Sequence, residues 1–128
     1  MSILKAFTNH LLEFVVDIQN VFPKDPELRT GKIFLEGLIK INPKNIILGW
    51  KECVNDVYEE QINKGDLNYF IDKDYNKDLS ESVGKNKILL VIESFRSRVK
   101  NMSDINKKKS MKYVQNLVKL CKMYFKKV

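Results

Sequence analysis

The sequence has few of the residues that build catalytic and metal centres. Its 128 residues include one histidine, His10, two cysteines, Cys53 and Cys121, and five glycines that are scattered along the chain. No serine or cysteine lies in a nucleophile motif, and no glycine-rich loop of the phosphate-binding kind occurs. His10 falls in a helical pattern, where we expect a polar surface residue and not a general base. We therefore predict a protein that is not an enzyme, with no catalytic, cofactor-binding or metal-binding residues.

The sequence also lacks a disulfide pattern and long apolar runs. The two cysteines lie far apart and form no CxxC or metal-ligand spacing, which favours two buried thiols in a reducing compartment over a disulfide. The longest apolar run, ILLVI at Ile88 to Ile92, is too short to cross a membrane. The first residues, MSILKAFTNHLLEF, carry charges inside the apolar pattern, so we expect neither a signal peptide nor a membrane span.

Acidic residues are almost absent from the C-terminal part of the chain. The formal net charge of the whole chain is +7. Nine lysines and one acid, Asp104, lie between Lys100 and Val128, so this part carries +8 and the preceding residues sum to −1. Arginines number only three, a pattern typical of an AT-rich genome, so codon supply explains some of the lysines. A basic helix of this kind can bind nucleic acid, an anionic membrane surface or a partner helix.

Helical periodicity dominates the chain. Apolar residues recur at three- and four-residue steps, and residues that cap helix starts stand before them. Two caps are followed by proline at the first helical position, Pro26 and Pro43. The pattern predicts helices at about 3–22, 26–41, 43–64, 86–100 and 103–128, and a short helix around 67–71 at the start of an irregular acidic loop of about 66–85. We predict an all-α fold, a compact bundle of about five helices in a single domain that covers residues 1–128.

Several aromatic residues and Val57 fall on the predicted buried faces. The third helix places Trp50, Val57 and Tyr58 on its apolar face, and the last helix places Phe125 on its own. Since these positions follow the helical period, we expect the residues in the core and not in a ligand site.

An acidic region precedes the basic C-terminal helix. Eight acids and three lysines lie from position 56 to position 81, a net charge of −5. The acidic partner face that we predict consists of Asp56, Glu59, Glu60, Asp72, Asp74, Asp78 and Glu81. Opposed charged surfaces can associate head to tail, dock on a charged partner, or pair with each other within the monomer.

Part of this region resembles the first half of an EF-hand calcium loop. Oxygen ligands alternate from Asp72 to Asp78, as the loop requires. However, Lys77 occupies the position where the loop requires glycine, and Val83 occupies the position of the final glutamate. A solvated acidic loop is therefore favoured over a calcium site.

For the last helix, the default interpretation is a core helix with a lysine-rich outer face. The alternative is contact with nucleic acid or another anionic partner through Lys107, Lys108, Lys109, Lys112, Lys119, Lys122, Lys126 and Lys127. A helix-turn-helix made from the second and third helices is disfavoured, because acids such as Glu52 and Glu60 would be repelled from DNA phosphates.

Particular phrases of the chain resemble a known family. These phrases are VVDIQNVFPKDPELRTGK, INPKNIILGWKECVNDVYEEQINKGDLNYFIDKDY and VKNMSDINKKKSMKYVQNLVKLCKMY. They look like a family of small, uncharacterised helical proteins encoded by giant viruses, the nucleocytoplasmic large DNA viruses, and the resemblance covers nearly the whole chain. Its most specific parts are Val21-Phe22-Pro23, Asn42-Pro43-Lys44, the Trp50 helix and YVQNL at 113–117. The resemblance implies an origin and assigns no functional residues.

With that origin, we expect a non-enzymatic structural or assembly protein of a large DNA virus. It would be a minor virion component, associated with the capsid or core, that acts through protein-protein contacts with other virion proteins or with itself. Its location would be the virion and, during assembly, the viral factory in the host cytoplasm. The alternative is a sequence-independent DNA-binding protein that uses the lysine-rich C-terminal helix, and a third possibility is an adaptor for a host factor.

Overall fold

The structure is a computed structural model, and it describes residues 2–66 and 94–126. All regular secondary structure in these two ranges is helical, which confirms the predicted all-α bundle. The elements in chain order are α1 (Ile3–Val21), α2 (Pro26–Ile41), α3 (Pro43–Trp50), a π-helical segment (Lys51–Asn55), α4 (Asp56–Asn63), α5 (residues 94–100) and α6 (Asp104–Lys126). The predicted short helix and most of the predicted acidic loop lie outside the described residues.

The helices begin where the capping residues predict. The Asp25 carboxylate accepts a hydrogen bond from the backbone N–H of Glu27 at 3.0 Å, and the Asn42 side chain accepts one from the N–H of Asn45 at 3.3 Å. At the start of α6, the hydroxyl oxygen of Ser103 accepts a 3.4 Å hydrogen bond from the backbone N–H of Asn106. Each cap satisfies a backbone donor that the first helical turn leaves without a partner.

The core forms where α1 and α6 pack against each other and against the segment from α3 to α4. Between α1 and α6, the rings of Phe14 and Tyr113 stack with their centroids 5.2 Å apart. The residues buried most completely at these contacts are Phe7, Val15, Ile18, Ile47, Val54, Tyr58, Ile62, Val114 and Leu117. Each large apolar side chain that leaves water here stabilises the fold by about 1.5–3 kcal/mol. The apolar face of α6 is therefore taken up by the interior of its own domain.

The third predicted helix is interrupted by a π-helical segment. In this segment Cys53 and Val54 are fully buried, and the amide nitrogen of Asn55 donates a 3.0 Å hydrogen bond to the backbone carbonyl of Val118 on α6. A π turn holds more residues than an α turn, so it rotates the apolar face of α4 relative to that of α3. Trp50 and Tyr58 are buried as predicted, whereas Val57 is 39% exposed and the prediction for it was wrong.

Both cysteines are thiols buried in the core, as predicted. Burial raises the pKa of the Cys121 thiol to about 12, because the interior cannot solvate a thiolate. The Sγ atom of Cys121 also lies 3.7 Å from the backbone carbonyl of Ile47, to which the thiol donates. The thiolate is the reactive form of cysteine, so these groups are chemically inert in the folded protein.

We predict that both cysteines resist alkylation by iodoacetamide at pH 8 until the chain unfolds. With a pKa of about 12, the thiolate fraction of Cys121 is on the order of a thousandfold below that of an ordinary cysteine. Mass spectrometry after timed labelling, with and without denaturant, measures the two rates. Rapid labelling of Cys121 under native conditions would contradict the packing described here.

A guanidinium group joins α5 to the start of α2. The Arg98 side chain, which is 17% exposed, places Nε 3.0 Å from Oδ2 of Asp25 and a terminal nitrogen 2.7 Å from a carboxylate oxygen of Glu27. The same terminal nitrogen of Arg98 lies 3.3 Å from Oδ1 of Asp25, so Arg98 contacts both carboxylate oxygens of Asp25. The hydrogen bonds from Arg98 hold the pKa of Asp25 below its ordinary value.

This pairing predicts a stability difference that depends on pH. Asp25→Asn keeps a good helix cap and removes the charge that Arg98 pairs with. Because the folded state lowers the pKa of Asp25, its contribution is present above the ordinary aspartate value of about 3.9 and is lost as the pH falls through the folded-state value. The variant should have a lower Tm than the wild type at pH 7, and the difference should shrink as the pH falls below about 3.9. A Tm difference that persists unchanged at pH 2 would contradict this pairing.

Candidate nucleic-acid interface

Four lysines form a straight line on the outer side of α6. Lys108, Lys112, Lys119 and Lys126 are all exposed, and they follow one another at steps of four, seven and seven residues. These steps return to the same side of an α-helix, opposite the residues that α6 buries. We call these four residues the lysine stripe. At a rise of about 1.5 Å per residue, it is about 27 Å long.

The lysine stripe is not neutralised by the described part of the chain. None of its four ammonium groups lies within 4.0 Å of a carboxylate of residues 2–66 or 94–126. Ammonium groups without an acidic partner on a long exposed face give that face a positive potential, which attracts polyanions.

The other lysines that the sequence nominates on α6 are placed differently. Lys109 lies 2.8 Å from the Asp17 carboxylate on α1, and this hydrogen bond raises the pKa of its ammonium group. Lys122 lies 3.2 Å from the carboxylate of Glu59 on α4. Lys107 is half-buried, and Lys127 lies outside the described residues. The eight nominated lysines therefore do not form one continuous surface.

The predicted acidic partner face is engaged within the monomer where the structure describes it. Asp56 lies 3.0 Å from the ammonium of Lys51, and Glu60 lies 3.1 Å from that of Lys64. Glu59 pairs with Lys122 on α6. The acidic and the basic regions therefore pair with each other within the monomer at this contact, which is one of the three arrangements that the sequence left open. The remaining predicted members, Asp72, Asp74, Asp78 and Glu81, lie outside the described residues.

A groove between α1 and α6 opens beside the middle of the lysine stripe, and sequence reasoning missed it. Asn116 and Lys119 line it from α6, and His10 and Glu13 line it from α1. The His10 ring is half-buried against Tyr113, with the centroids 5.0 Å apart, so it is not the surface residue that we predicted. Its Nδ1 lies 3.4 Å from the Glu13 carboxylate. The sequence carried one signal for this groove: His10 and Glu13 on α1, and Asn116 and Lys119 on α6, are each three positions apart and so share one side of their helix.

The described residues contain neither a candidate metal site nor a candidate membrane span. They contain no cluster of three or more histidine, cysteine, aspartate or glutamate side chains that could hold a metal ion. The candidate calcium loop at 72–83 lies outside them. Across 2–66 and 94–126, no helix combines the length and the hydropathy that a membrane span requires.

Comparison with known protein families, with curated proteins and with solved structures finds no match for this chain. The resemblance to a giant-virus family stays a prediction from the sequence.

Proposed function

We propose that this protein binds double-stranded DNA without sequence preference, through the lysine stripe of α6. The observation that supports this function best is that the stripe carries four exposed ammonium groups with no acidic partner in the described residues, while Asp56, Glu59 and Glu60 are paired with other lysines. Each phosphate that such a group neutralises releases counterions from the DNA, and this release drives binding without any base contact.

The kind of side chain in the stripe favours binding that ignores sequence. Arginine reads guanine through two parallel hydrogen bonds, whereas lysine acts as a flexible point charge on phosphate. All four positions of the stripe are lysine, and two of the three arginines lie on α5. Over a length of about 27 Å, duplex DNA presents about sixteen phosphate charges, so each flexible lysine can reach one.

A membrane surface is a poorer partner for α6. A helix that lies in a bilayer interface must bury a continuous apolar face in lipid. In this protein the apolar face of α6 is buried in the core, and its exposed large apolar side chains, Ile105 and Met123, stand at opposite ends of the helix. The surface of α6 that remains available to a ligand is positively charged, which suits a polyanion.

We predict that replacing all four lysines of the stripe by glutamine abolishes duplex binding. Four phosphate contacts correspond to a slope of about −3.6 for the wild type in a plot of log K against log salt concentration, and the variant should show no binding at any of the salt concentrations. Fluorescence anisotropy of a labelled duplex, titrated with each protein at several salt concentrations, measures the wild-type slope and the loss of binding in the variant. Circular dichroism checks that the helix content of the variant equals that of the wild type.

A matched control separates the lysine stripe from the overall charge. Replacing Lys24, Lys32, Lys44 and Lys64 by glutamine makes the same change in net charge, from +7 to +3, outside the lysine stripe. The control should bind DNA nearly as well as the wild type, because local phosphate contacts dominate affinity. If both variants lose affinity equally, binding reflects net charge and the proposed interface is wrong. If the wild type does not bind duplex DNA at low salt, the proposed function is wrong.

The first expectation, a structural or assembly protein of a large DNA virus that contacts other virion proteins, is a second candidate function. Apolar side chains exposed on α2 and α3 support it, among them Ile41, which is 83% exposed, and Leu48, which is 41% exposed. Apolar surface of this kind is typical of protein contact sites. Such a protein would be found in purified particles and in viral factories of the host cytoplasm. Quantitative mass spectrometry of purified particles tests this candidate, and absence of the protein from the particles would contradict it.

A further inference from the structure

The outer side of α2 is apolar although it faces away from the core. Leu28 and Leu35 are the residues that α2 buries completely. On the opposite side, Ile33 is 64% exposed and Ile41 is 83% exposed, and Phe34 beside them is 42% exposed. A helix at the edge of a bundle normally carries polar residues on its outer side. The outer side of α2 therefore has the composition of a surface that is covered by a partner.

A glycine stands in the middle of this apolar surface. Gly37 lies four residues after Ile33 and four residues before Ile41, so all three share one side of the helix. A Cβ atom added at Gly37 would have no heavy atom of the described residues within 4 Å, so nothing in residues 2–66 and 94–126 requires a glycine there. Glycine in a helix interior is less favourable than other residues, because it loses more backbone freedom on folding. A notch between two large side chains lets a second helix approach closely.

We propose that α2 is the contact surface between two copies of this chain, packed antiparallel about a two-fold axis that passes near Gly37. In that arrangement Ile33 of each copy lies against Ile41 of the other, because the two residues are equally distant from Gly37. A two-fold contact uses the same surface twice and closes on itself, which is the commonest way in which soluble proteins associate. This inference does not depend on DNA binding, since it concerns a different helix.

The charges beside the apolar surface fit a second copy. Glu36 and Lys40 lie along one edge of it, and neither has an ion-pair partner among the described residues. In an antiparallel pair centred on Gly37, Glu36 of one copy comes within reach of Lys40 of the other, and the two-fold axis forms this pair twice. In a parallel two-fold pair the charged edges of the two copies would lie on opposite sides of the contact, and Glu36 would not reach Lys40 of the other copy. The charge pattern therefore selects the antiparallel arrangement.

Replacing Gly37 by leucine tests this inference, because it should affect folding and association in opposite directions. In the monomer the new side chain enters open space, and leucine is the better helix former, so the Tm measured at low protein concentration should rise by about 2–5 °C. In the dimer the side chain fills the notch, so the dissociation constant measured by sedimentation equilibrium should rise by about tenfold or more. A variant that merely unfolds the protein cannot raise its Tm.

A pair of glutamate substitutions provides the matched control. Ile41→Glu places a charge in the proposed contact, whereas Ile105→Glu places one on α6 at a residue that is 81% exposed, nearly as much as Ile41. The first should weaken association by about tenfold or more, and the second should leave it unchanged. A wild-type protein that stays monomeric at millimolar concentration overturns the proposal. Association that neither Gly37→Leu nor Ile41→Glu weakens also overturns it, because the copies then meet through another face.

Oxidative cross-linking tests the direction of the two helices. Gly37→Cys lies on the proposed axis, where the two sulfur atoms can meet, whereas Thr30→Cys of the two copies should be about 21 Å apart, too far for a disulfide. The native thiols, Cys53 and Cys121, are fully buried and do not compete. Efficient cross-linking of the first variant alone supports the antiparallel contact, and equal cross-linking of both overturns it.

Discussion

The packing of α6 against α1 and the α3–α4 segment is the contact on which the rest of the structure depends. This helix of 23 residues supplies Val114, Leu117 and Cys121 to the core, each at most 1% exposed. Burial of that side fixes the rotation of the helix about its axis, and rotation decides where every other side chain of α6 lies. The lysine stripe is therefore a consequence of core packing, because its residues occupy the side that the core leaves to water.

Ion pairs then determine which of the charged surfaces remain available to a partner. The lysines at the two borders of α6 lie close to its neighbours, and Lys109 and Lys122 are taken up by Asp17 and Glu59. Exposed pairs of this kind add little stability, typically below about 1 kcal/mol each, but they cancel charge locally. The outer side of α6 keeps its positive charge because no helix packs there in the described residues. The proposed recognition of a polyanion depends on this difference between the borders and the outer side of α6.

Much of this architecture was accessible from the sequence, because its helices carry strong local signals. Caps at Asp25 and Asn42, each followed by proline, fixed the starts of two helices, and apolar periodicity identified most of the buried residues. The π-helical segment was not accessible, since no local signal distinguishes it from an α-helix, and the contact of Asn55 with Val118 is between residues far apart in the chain. The exposure of Val57 was missed for the same reason.

The candidate site was accessible only in part. Composition identified α6 as basic, but sorting its lysines into paired and unpaired ones requires knowledge of which helices lie beside it. The position of His10 against Tyr113 likewise depends on the pairing of α1 with α6. Charge counting also gave the acidic and the basic regions equal weight as contact surfaces, although Asp56, Glu59 and Glu60 of the acidic partner face are already paired within the monomer.

The central claim is that DNA contacts the outer side of α6 and no other described surface. Nuclear magnetic resonance of the lysine side chains, recorded while a short duplex is titrated into the protein, tests it at each residue. The account predicts that the signals of Lys108, Lys112, Lys119 and Lys126 move most, and that those of Lys109 and Lys122, held by their acidic partners, move less. Shifts confined to lysines of α2 or α3, or no shifts at low salt, would contradict it.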